Sequence, residues 1–316
     1  MFQHHTLKLI CRRLRRPFEW TFIWIAYAVI PFLPHSAVLR LAHFIAAVGY
    51  LFDQQGKAVS RANLRVMFGT RLTPIRERRI ILRAYRNFAC VLVNVFWMSR
   101  QTRKRMMENV SFSPLLQDLL RKHRPAITIS AHLGNWEILP LASVVNGIPA
   151  ITVAKMLGTP EMTAHLIRLR APLGHQFVPT EGALRHLIQA LKQGTNIALL
   201  VDQHVSPLEG GTWVTLFGLP VSISLAPAIL SRKYKVPIIF AWSRPLKAGH
   251  YRIELGQIFM PDPTIDDTTR TQQIITAFEQ VIRRHPSLWC LNYRGWRYIL
   301  PNTDPSPYPF YARPYS

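Results

Sequence analysis

Residues 125–137, with the sequence PAITISAHLGNWE, decide the fold and carry the most informative side chains of the chain. Residues 126–131 form a short apolar run, which is typical of a strand buried in a parallel sheet. The polar residues and Gly134 that follow favour a loop. Functional groups in α/β sheets gather where parallel strands end, so we expect a site on this loop.

Similar apolar runs alternate with helical patterns on the C-terminal side of this stretch. This alternation predicts an α/β fold with a mostly parallel central sheet flanked by helices. The predicted strands cover residues 150–154, 196–201, 237–242 and 251–258. Two predicted helices cover residues 181–193 and 268–284. A further helix is predicted to be capped by Ser222 or Ser224 and to run to about Tyr234.

The N-terminal region combines positive charge with apolar residues. Residues 1–16 contain five Lys or Arg and no acid, and residues 20–39 contain no charged residue. Twenty such residues match the thickness of a bilayer, but Pro31 and Pro34 interrupt them. An in-plane anchor is favoured over a spanning helix, because further arginines follow the stretch, and a buried helix of a soluble protein is the alternative.

Three regions are therefore predicted. Residues 1–55 are a basic N-terminus with a membrane anchor, residues 56–124 are a helical region, and residues 125–316 are the α/β core. Residues 56–316 are expected to fold as one unit, since no repeat or linker interrupts them.

Composition points to a lipid surface as the partner. The net charge is +23 and 49% of the residues are hydrophobic. A basic surface attracts nucleic acid as well, but this apolar content favours anionic membrane lipid, so no nucleic acid partner is predicted. Three widely spaced cysteines (Cys11, Cys90 and Cys290) suggest neither a disulfide framework nor a metal site, which fits a reducing compartment.

His132 is the candidate general base, because an imidazole with a pKa near neutrality can accept a hydroxyl proton. Glu137 follows five residues later, and a turn through Gly134 is predicted to bring its carboxylate to the second ring nitrogen. A structural histidine is the alternative, but a loop of this composition favours function. Pro140 keeps a helix from starting much before Glu137, which places Glu137 at the helix start.

The motif His-Leu-Gly-Asn-Trp-Glu, residues 132–137, resembles the His-x4-acid motif of the lysophospholipid acyltransferase superfamily. The glutamate and the Asn-Trp-Glu triplet resemble the lauroyl and myristoyl transferases of lipid A biosynthesis. The resemblance continues through segments at residues 61–64, 170–174, 202–203, 216–218 and 289–296.

This resemblance implies that His132 is the base with Glu137 as its partner, and that Arg170 binds an anion or stabilises the transition state. Asn135 and Trp136 are implied to contact substrate. Two further residues, Asp202 and Gln203, either orient a substrate hydroxyl or brace the His132 loop. An apolar wall at residues 216–218 is expected, and the neighbouring His204 is incidental or an additional ligand.

The implied reaction moves a fatty acyl chain from acyl carrier protein or coenzyme A to a hydroxyl of a lipid A-type glycolipid, without a cofactor, a metal or an acyl-enzyme. It would occur on the cytoplasmic face of a Gram-negative inner membrane. Acylation of another lipid, such as a mannosylated or aminoacyl lipid, is the nearest alternative. A non-catalytic protein that gathers lipids is the alternative from another class. A serine hydrolase is disfavoured, because no G-x-S-x-G motif occurs.

Overall fold

A computed structural model of the protein describes residues 21, 23–122, 125–154 and 160–315. The predicted basic cluster of residues 1–16 and Cys11 lie outside the described residues.

The helices precede the sheet and then alternate with its strands. In chain order they are α1 (His35–Phe52), α2 (Gln54–Phe68), α3 (Pro74–Trp97), α4 (Thr102–Asn109), α5 (Pro114–Lys122), α6 (Ile138–Val145), α7 (Pro160–Arg170), α8 (Ala183–Lys192), α9 (Ala226–Tyr234) and α10 (Asp267–Arg284).

The strands form one large sheet and two small ones. In chain order they are β1 (Val110–Phe112), β2 (Ile127–Ser130), β3 (Ala150–Ala154), β4 (Gln176–Pro179), β5 (Asn196–Leu200), β6 (Gly211–Leu216), β7 (Leu219–Ser224), β8 (Ile238–Pro245), β9 (Tyr251–Phe259), β10 (Tyr298–Ile299) and β11 (Arg313–Pro314).

The large sheet has the strand order β1-β9-β8-β2-β5-β3-β4. All its neighbouring strands run parallel except β8 and β9, which run antiparallel. The α/β fold with a mostly parallel sheet is therefore confirmed. Because β2 lies in the middle of the sheet, the loop that follows it opens at the centre of the carboxyl edge.

The predicted apolar stretch of residues 20–39 is not one helix. A helical segment, Ile23–Phe32, closes in a 3-10 turn that contains Pro31, and α1 starts afterwards at His35, following Pro34. The two prolines cause this break, since each fixes its backbone and lacks an N–H donor. Among the described residues, α1 and α3 are long and apolar enough to cross a membrane.

The N-terminal helices pack against the same core as the sheet. Val38 and Ala42 of α1 share a buried cluster with Val93 and Trp97 of α3 and with Ile239 of β8. The division near residues 55 and 124 stays a prediction, but this cluster joins α1 directly to the sheet.

Several elements differ from the sequence-based expectations. The short edge strands β1 and β4 and the hairpin of β6 and β7 were not predicted. Ser222 lies inside β7, so it does not cap α9, whereas Ser224 accepts a hydrogen bond from the Ala226 N–H. Asp266 caps α10 by accepting from the backbone N–H groups of Thr268 and Thr269.

Candidate active site

The loop after β2 is held in place by a distant segment of the chain. The Gly134 N–H donates to the carbonyl of Leu288, and the Cys290 N–H donates to the carbonyl of His132. Gly134 has a φ of +64°, and a Cβ there would collide with the carbonyl of Ser243. The positive φ and the close approach of the loop to β8 both require a glycine at this position.

Asp202 reaches His132 because their strands are neighbours in register. Ser130 of β2 pairs with Leu200 of β5, and the two side chains lie two residues beyond this pair in each strand. Equivalent positions at the ends of parallel strands lie side by side. The sheet therefore places a carboxylate next to the histidine across 70 residues of sequence.

The Asp202 carboxylate accepts three hydrogen bonds. Its Oδ1 accepts from His132 Nδ1 at 2.7 Å. Its Oδ2 accepts from the His132 backbone N–H and from Trp289 Nε1, both at 2.9 Å. Because an ionised carboxylate only accepts, the proton of neutral His132 resides on Nδ1 and Nε2 keeps its lone pair. Nε2 is thus the basic atom.

Burial and charge act in opposite directions on this pair. Burial alone would lower the pKa of His132, but the charge and hydrogen bond of Asp202 outweigh it, so the pKa is raised above its ordinary value. Burial alone would raise the pKa of Asp202, but His132 and the Trp289 hydrogen bond hold it below its ordinary value. The arrangement stabilises an imidazolium, as a general base requires.

Glu137 has a different partner from the predicted one. Its carboxylate accepts from Arg170 Nε at 2.7 Å and from Arg170 Nη2 at 2.5 Å, while Trp136 Nε1 donates to it at 3.1 Å. The predicted hydrogen bond between Glu137 and His132 is therefore wrong. The carboxylate lies at the start of α6 and points toward the last turn of α7, and it acts on His132 only as a nearby charge that raises its pKa.

An apolar cavity opens beside the ion pair of Glu137 and Arg170. His132 does not line it, but Trp136 does, and the Trp136 ring lies 5.0 Å from the His132 ring. The floor and walls are mostly aliphatic and aromatic. They include Phe112, Leu120, Leu139, Phe177, Leu199, Ala241 and Ile253.

The remaining predicted residues divide into those near the histidine and those away from it. Gln203 is exposed, and its Nε2 donates to His132 Nε2 at 3.4 Å. Trp136 packs against His132 and lines the cavity. Asn135 is completely buried, so the predicted substrate contact does not fit this structure. Of the two roles predicted for Asp202, its hydrogen bonds support bracing of the loop.

Two predicted accessory features lie farther from the chemistry. The ring of His204 packs 5.0 Å from that of Tyr298, and burial followed by the charge of Arg297 lowers its pKa. Phe217 is in the turn between β6 and β7 and packs against Trp289 and Trp296. The segment at residues 216–218 therefore supports the indole that bonds Asp202.

Trp289 and His175 are residues of the site that sequence reasoning did not assign. Trp289 follows α10 and is 3% exposed, and its indole donor fixes Asp202. His175 lies before β4 and lines the cavity. Trp289 belongs to the C-terminal segment in which the family resemblance was seen, whereas no motif singles out His175.

A parallel sheet that presents a histidine–aspartate pair at its carboxyl edge, beside an apolar cavity, fits an enzyme that activates a hydroxyl group next to an apolar substrate.

The comparison with protein families gives the particular class. Residues 9–298 match the model of the bacterial lipid A biosynthesis acyltransferase family, so the chain belongs to this family and is an acyltransferase. The crystal structure of the 1-acyl-sn-glycerophosphate acyltransferase PlsC from Thermotoga maritima is similar over 78% of this chain and 93% of that chain, with 17% identity and a TM-score of 0.36. No curated protein sequence matches the chain.

Proposed function

We propose that this acyltransferase moves a fatty acyl group from a thioester carrier to a hydroxyl of a lipid A-type glycolipid precursor, with His132 as general base. The observation that carries the proposal is the hydrogen bond between His132 Nδ1 and Asp202, which keeps the lone pair on Nε2, where the exposed Gln203 amide donates at 3.4 Å. The matching family supports the glycolipid acceptor.

The proton follows a short path in this proposal. His132 Nε2 takes the proton of the acceptor hydroxyl while its oxygen attacks the thioester carbonyl. A C–O bond forms, the tetrahedral intermediate collapses, and the C–S bond breaks. The leaving thiolate takes the proton from the imidazolium, which gives an ester and a free thiol. Asp202 takes the place that the aspartate has in a hydrolase triad, and the acceptor hydroxyl replaces the serine.

Arg170 is the group proposed to stabilise the developing oxyanion. Its Nε and Nη2 donate to Glu137, which leaves the other guanidinium hydrogens for a substrate oxygen. Bidentate pairing holds the guanidinium in one plane at the wall of the cavity. Glu137 is therefore proposed to be a positioning residue for Arg170, while the preorganised positive charge acts on the transition state.

The apolar cavity is the proposed site of the acyl chain. Aliphatic and aromatic walls next to Glu137 and Arg170 suit a hydrocarbon whose carbonyl end faces the charged pair. The donor thioester is proposed to be carried by acyl carrier protein or by coenzyme A, since both are acidic and the chain has a net charge of +23.

A membrane contact is proposed for the outer side of the N-terminal helices. Phe44, Leu51 and Phe52 of α1 are each more than 60% exposed, and so is Phe32 before it. Only 17% of α1 is buried inside the protein. Because α1 also packs on the core, an in-plane position on the cytoplasmic face of an inner membrane is favoured over a span.

Transfer from a radiolabelled acyl-carrier-protein thioester to a purified glycolipid precursor tests the function. His132→Ala is expected to lower kcat by about 10²- to 10⁴-fold, which is the usual contribution of a general base. His186→Ala is the matched control, because His186 lies exposed on α8, and it should keep full activity. Near-full transfer by the His132→Ala enzyme would refute the base assignment.

Parallel assays separate the substrates. Acyl-carrier-protein and coenzyme A thioesters of one chain length compare the donors. A glycolipid precursor, a mannosylated lipid and an aminoacyl lipid compare the acceptors. Transfer that is fastest to either of the last two would overturn the lipid A assignment while leaving the acyltransferase chemistry intact.

A further inference from the structure

One wall of the apolar cavity carries a buried polar atom without a partner. His175 is 5% exposed and lines the cavity, and its Nε2 lies 2.8 Å from Thr152 Oγ1. Its Nδ1 is buried and has no hydrogen-bond partner among the residues that the structure describes. Buried polar side-chain atoms are paired in the large majority of cases, so this nitrogen calls for a partner from outside the chain.

The surroundings of His175 define the chemistry of that partner. Burial, followed by the charge of Arg170, lowers the pKa of His175 to about 4, so the ring is neutral at physiological pH. A neutral imidazole has one donor and one acceptor nitrogen, and Thr152 occupies one of them. A hydroxyl fits the other nitrogen in either tautomer, because it can both donate and accept. An uncharged hydroxyl also suits a cavity with apolar walls.

The position of His175 indicates which part of a bound chain would meet it. The rings of His175 and Phe177 lie 4.9 Å apart, and the guanidinium of Arg170 lies 5.2 Å from the same Phe177 ring. Arg170 in turn binds Glu137. His175 is thus on the side of the cavity that holds the charged pair, where the proposed function puts the acyl carbonyl.

We propose that the preferred acyl group carries a hydroxyl close to its carbonyl, as in a 2- or 3-hydroxyacyl thioester, and that His175 Nδ1 binds this hydroxyl. The inference rests on the proposed function, because it assumes that the cavity holds the acyl chain. It makes His175 a specificity-determining residue that contacts the donor substrate.

The test compares donors of one chain length on the purified full-length enzyme. Acyl carrier protein carries a 2-hydroxyacyl, a 3-hydroxyacyl or an unsubstituted acyl group as its thioester. The three donors compete for one glycolipid acceptor. At least one hydroxyacyl donor is expected to have a kcat/KM about tenfold or more above the unsubstituted donor, since a site built for a hydroxyl rejects the analogue that lacks it.

His175→Phe keeps an aromatic ring but removes both nitrogens. This variant should lose the preference, so that the ratio of kcat/KM for the hydroxyacyl donor to kcat/KM for the unsubstituted donor falls about tenfold or more. A melting temperature close to that of wild type reports a folded enzyme. His186→Phe makes the same replacement on exposed α8 and should leave the preference unchanged.

Wild-type enzyme that uses all three donors equally would overturn the inference without touching the proposed function. A preference that survives in the His175→Phe enzyme would overturn it as well. If wild-type enzyme transfers no acyl thioester, the proposed function fails instead. In that case, calorimetry compares the binding of free 3-hydroxy and unsubstituted fatty acids and tests the inference directly. Equal affinities would show that no hydroxyl is recognised at His175.

Discussion

His132 and Glu137 lie five residues apart on one loop, yet they belong to two different hydrogen-bonded pairs of side chains. His132 pairs with Asp202 in a setting where the carboxylate is 6% exposed and also holds the loop backbone. Glu137 pairs with Arg170 beside the cavity, where the guanidinium is 25% exposed. In the proposed mechanism the first pair moves a proton, and the second presents a fixed positive charge to the substrate.

Asp202→Asn is expected to have the largest effect on this comparison. The amide keeps the shape but removes the charge that raises the pKa of His132, and burial then lowers that pKa. A general base works when neutral, so the acidic limb of kcat/KM should move to lower pH, from above about 6.5 to below it. We expect kcat to fall by about 10³-fold at neutral pH, because the imidazolium loses its counter-charge.

The measurement is the pH profile of kcat/KM for the acceptor, taken at acceptor concentrations below KM. Asp118→Asn, at an exposed position of α5, is the control and should reproduce the wild-type profile. An acidic limb that stays in place in the Asp202→Asn enzyme would show that the two side chains do not titrate as a pair.

Glu137→Gln should have the next largest effect, a loss of about 10²-fold in kcat. Arg170 then loses its bidentate partner, so the oxyanion is no longer met by a donor that is held in place. The charge of Glu137 raises the pKa of His132 less than that of Asp202 does, so the acidic limb should move less than in the Asp202→Asn enzyme. If the acidic limb moves farther in the Glu137→Gln enzyme than in the Asp202→Asn enzyme, Glu137 rather than Asp202 is the main charge partner of His132.

A double variant sharpens the same point. Glu137→Gln combined with Arg170→Gln should be about as slow as either single variant, since residues that act as one unit give non-additive losses. Combining Glu137→Gln with Asp202→Asn should give losses closer to multiplicative. If both double variants lose kcat to the same degree relative to their single variants, the separation into two independent pairs is contradicted.

The sequence was informative about the strands and the loop but not about which charges meet. Apolar runs and the position of Gly134 predict β2, β5 and the turn between strand and helix, because local patterns determine them. Proximity in sequence favoured Glu137 as the partner of His132. The actual partner depends on the register of β2 against β5, in which Ser130 meets Leu200. Given that register, the partnership of Asp202 follows from counting two residues along each strand.

Other features were missed for related reasons. β1 has three residues and β4 has four, one of them Pro179, so neither gives a clear period of two. The turn of the β6–β7 hairpin has positive φ at Phe217 as well as at Gly218, and phenylalanine is not a usual turn residue. Burial of its ring against Trp289 and Trp296 stabilises that turn through tertiary packing. No local sequence pattern carries this information.

Trp289→Phe should have the smallest effect, because it removes one of three hydrogen bonds to Asp202 and keeps most of the ring. A loss of about three- to tenfold in kcat is expected, as a single neutral donor to a buried carboxylate contributes modestly when two others remain. Trp97→Phe is the matched control, since it also removes one indole bond, to the carbonyl of Leu33, away from the site. Both variants should lower the melting temperature by similar amounts, but only Trp289→Phe should slow the reaction. Equal slowing by both would mean that a general loss of stability, rather than the lost bond to Asp202, slows the enzyme.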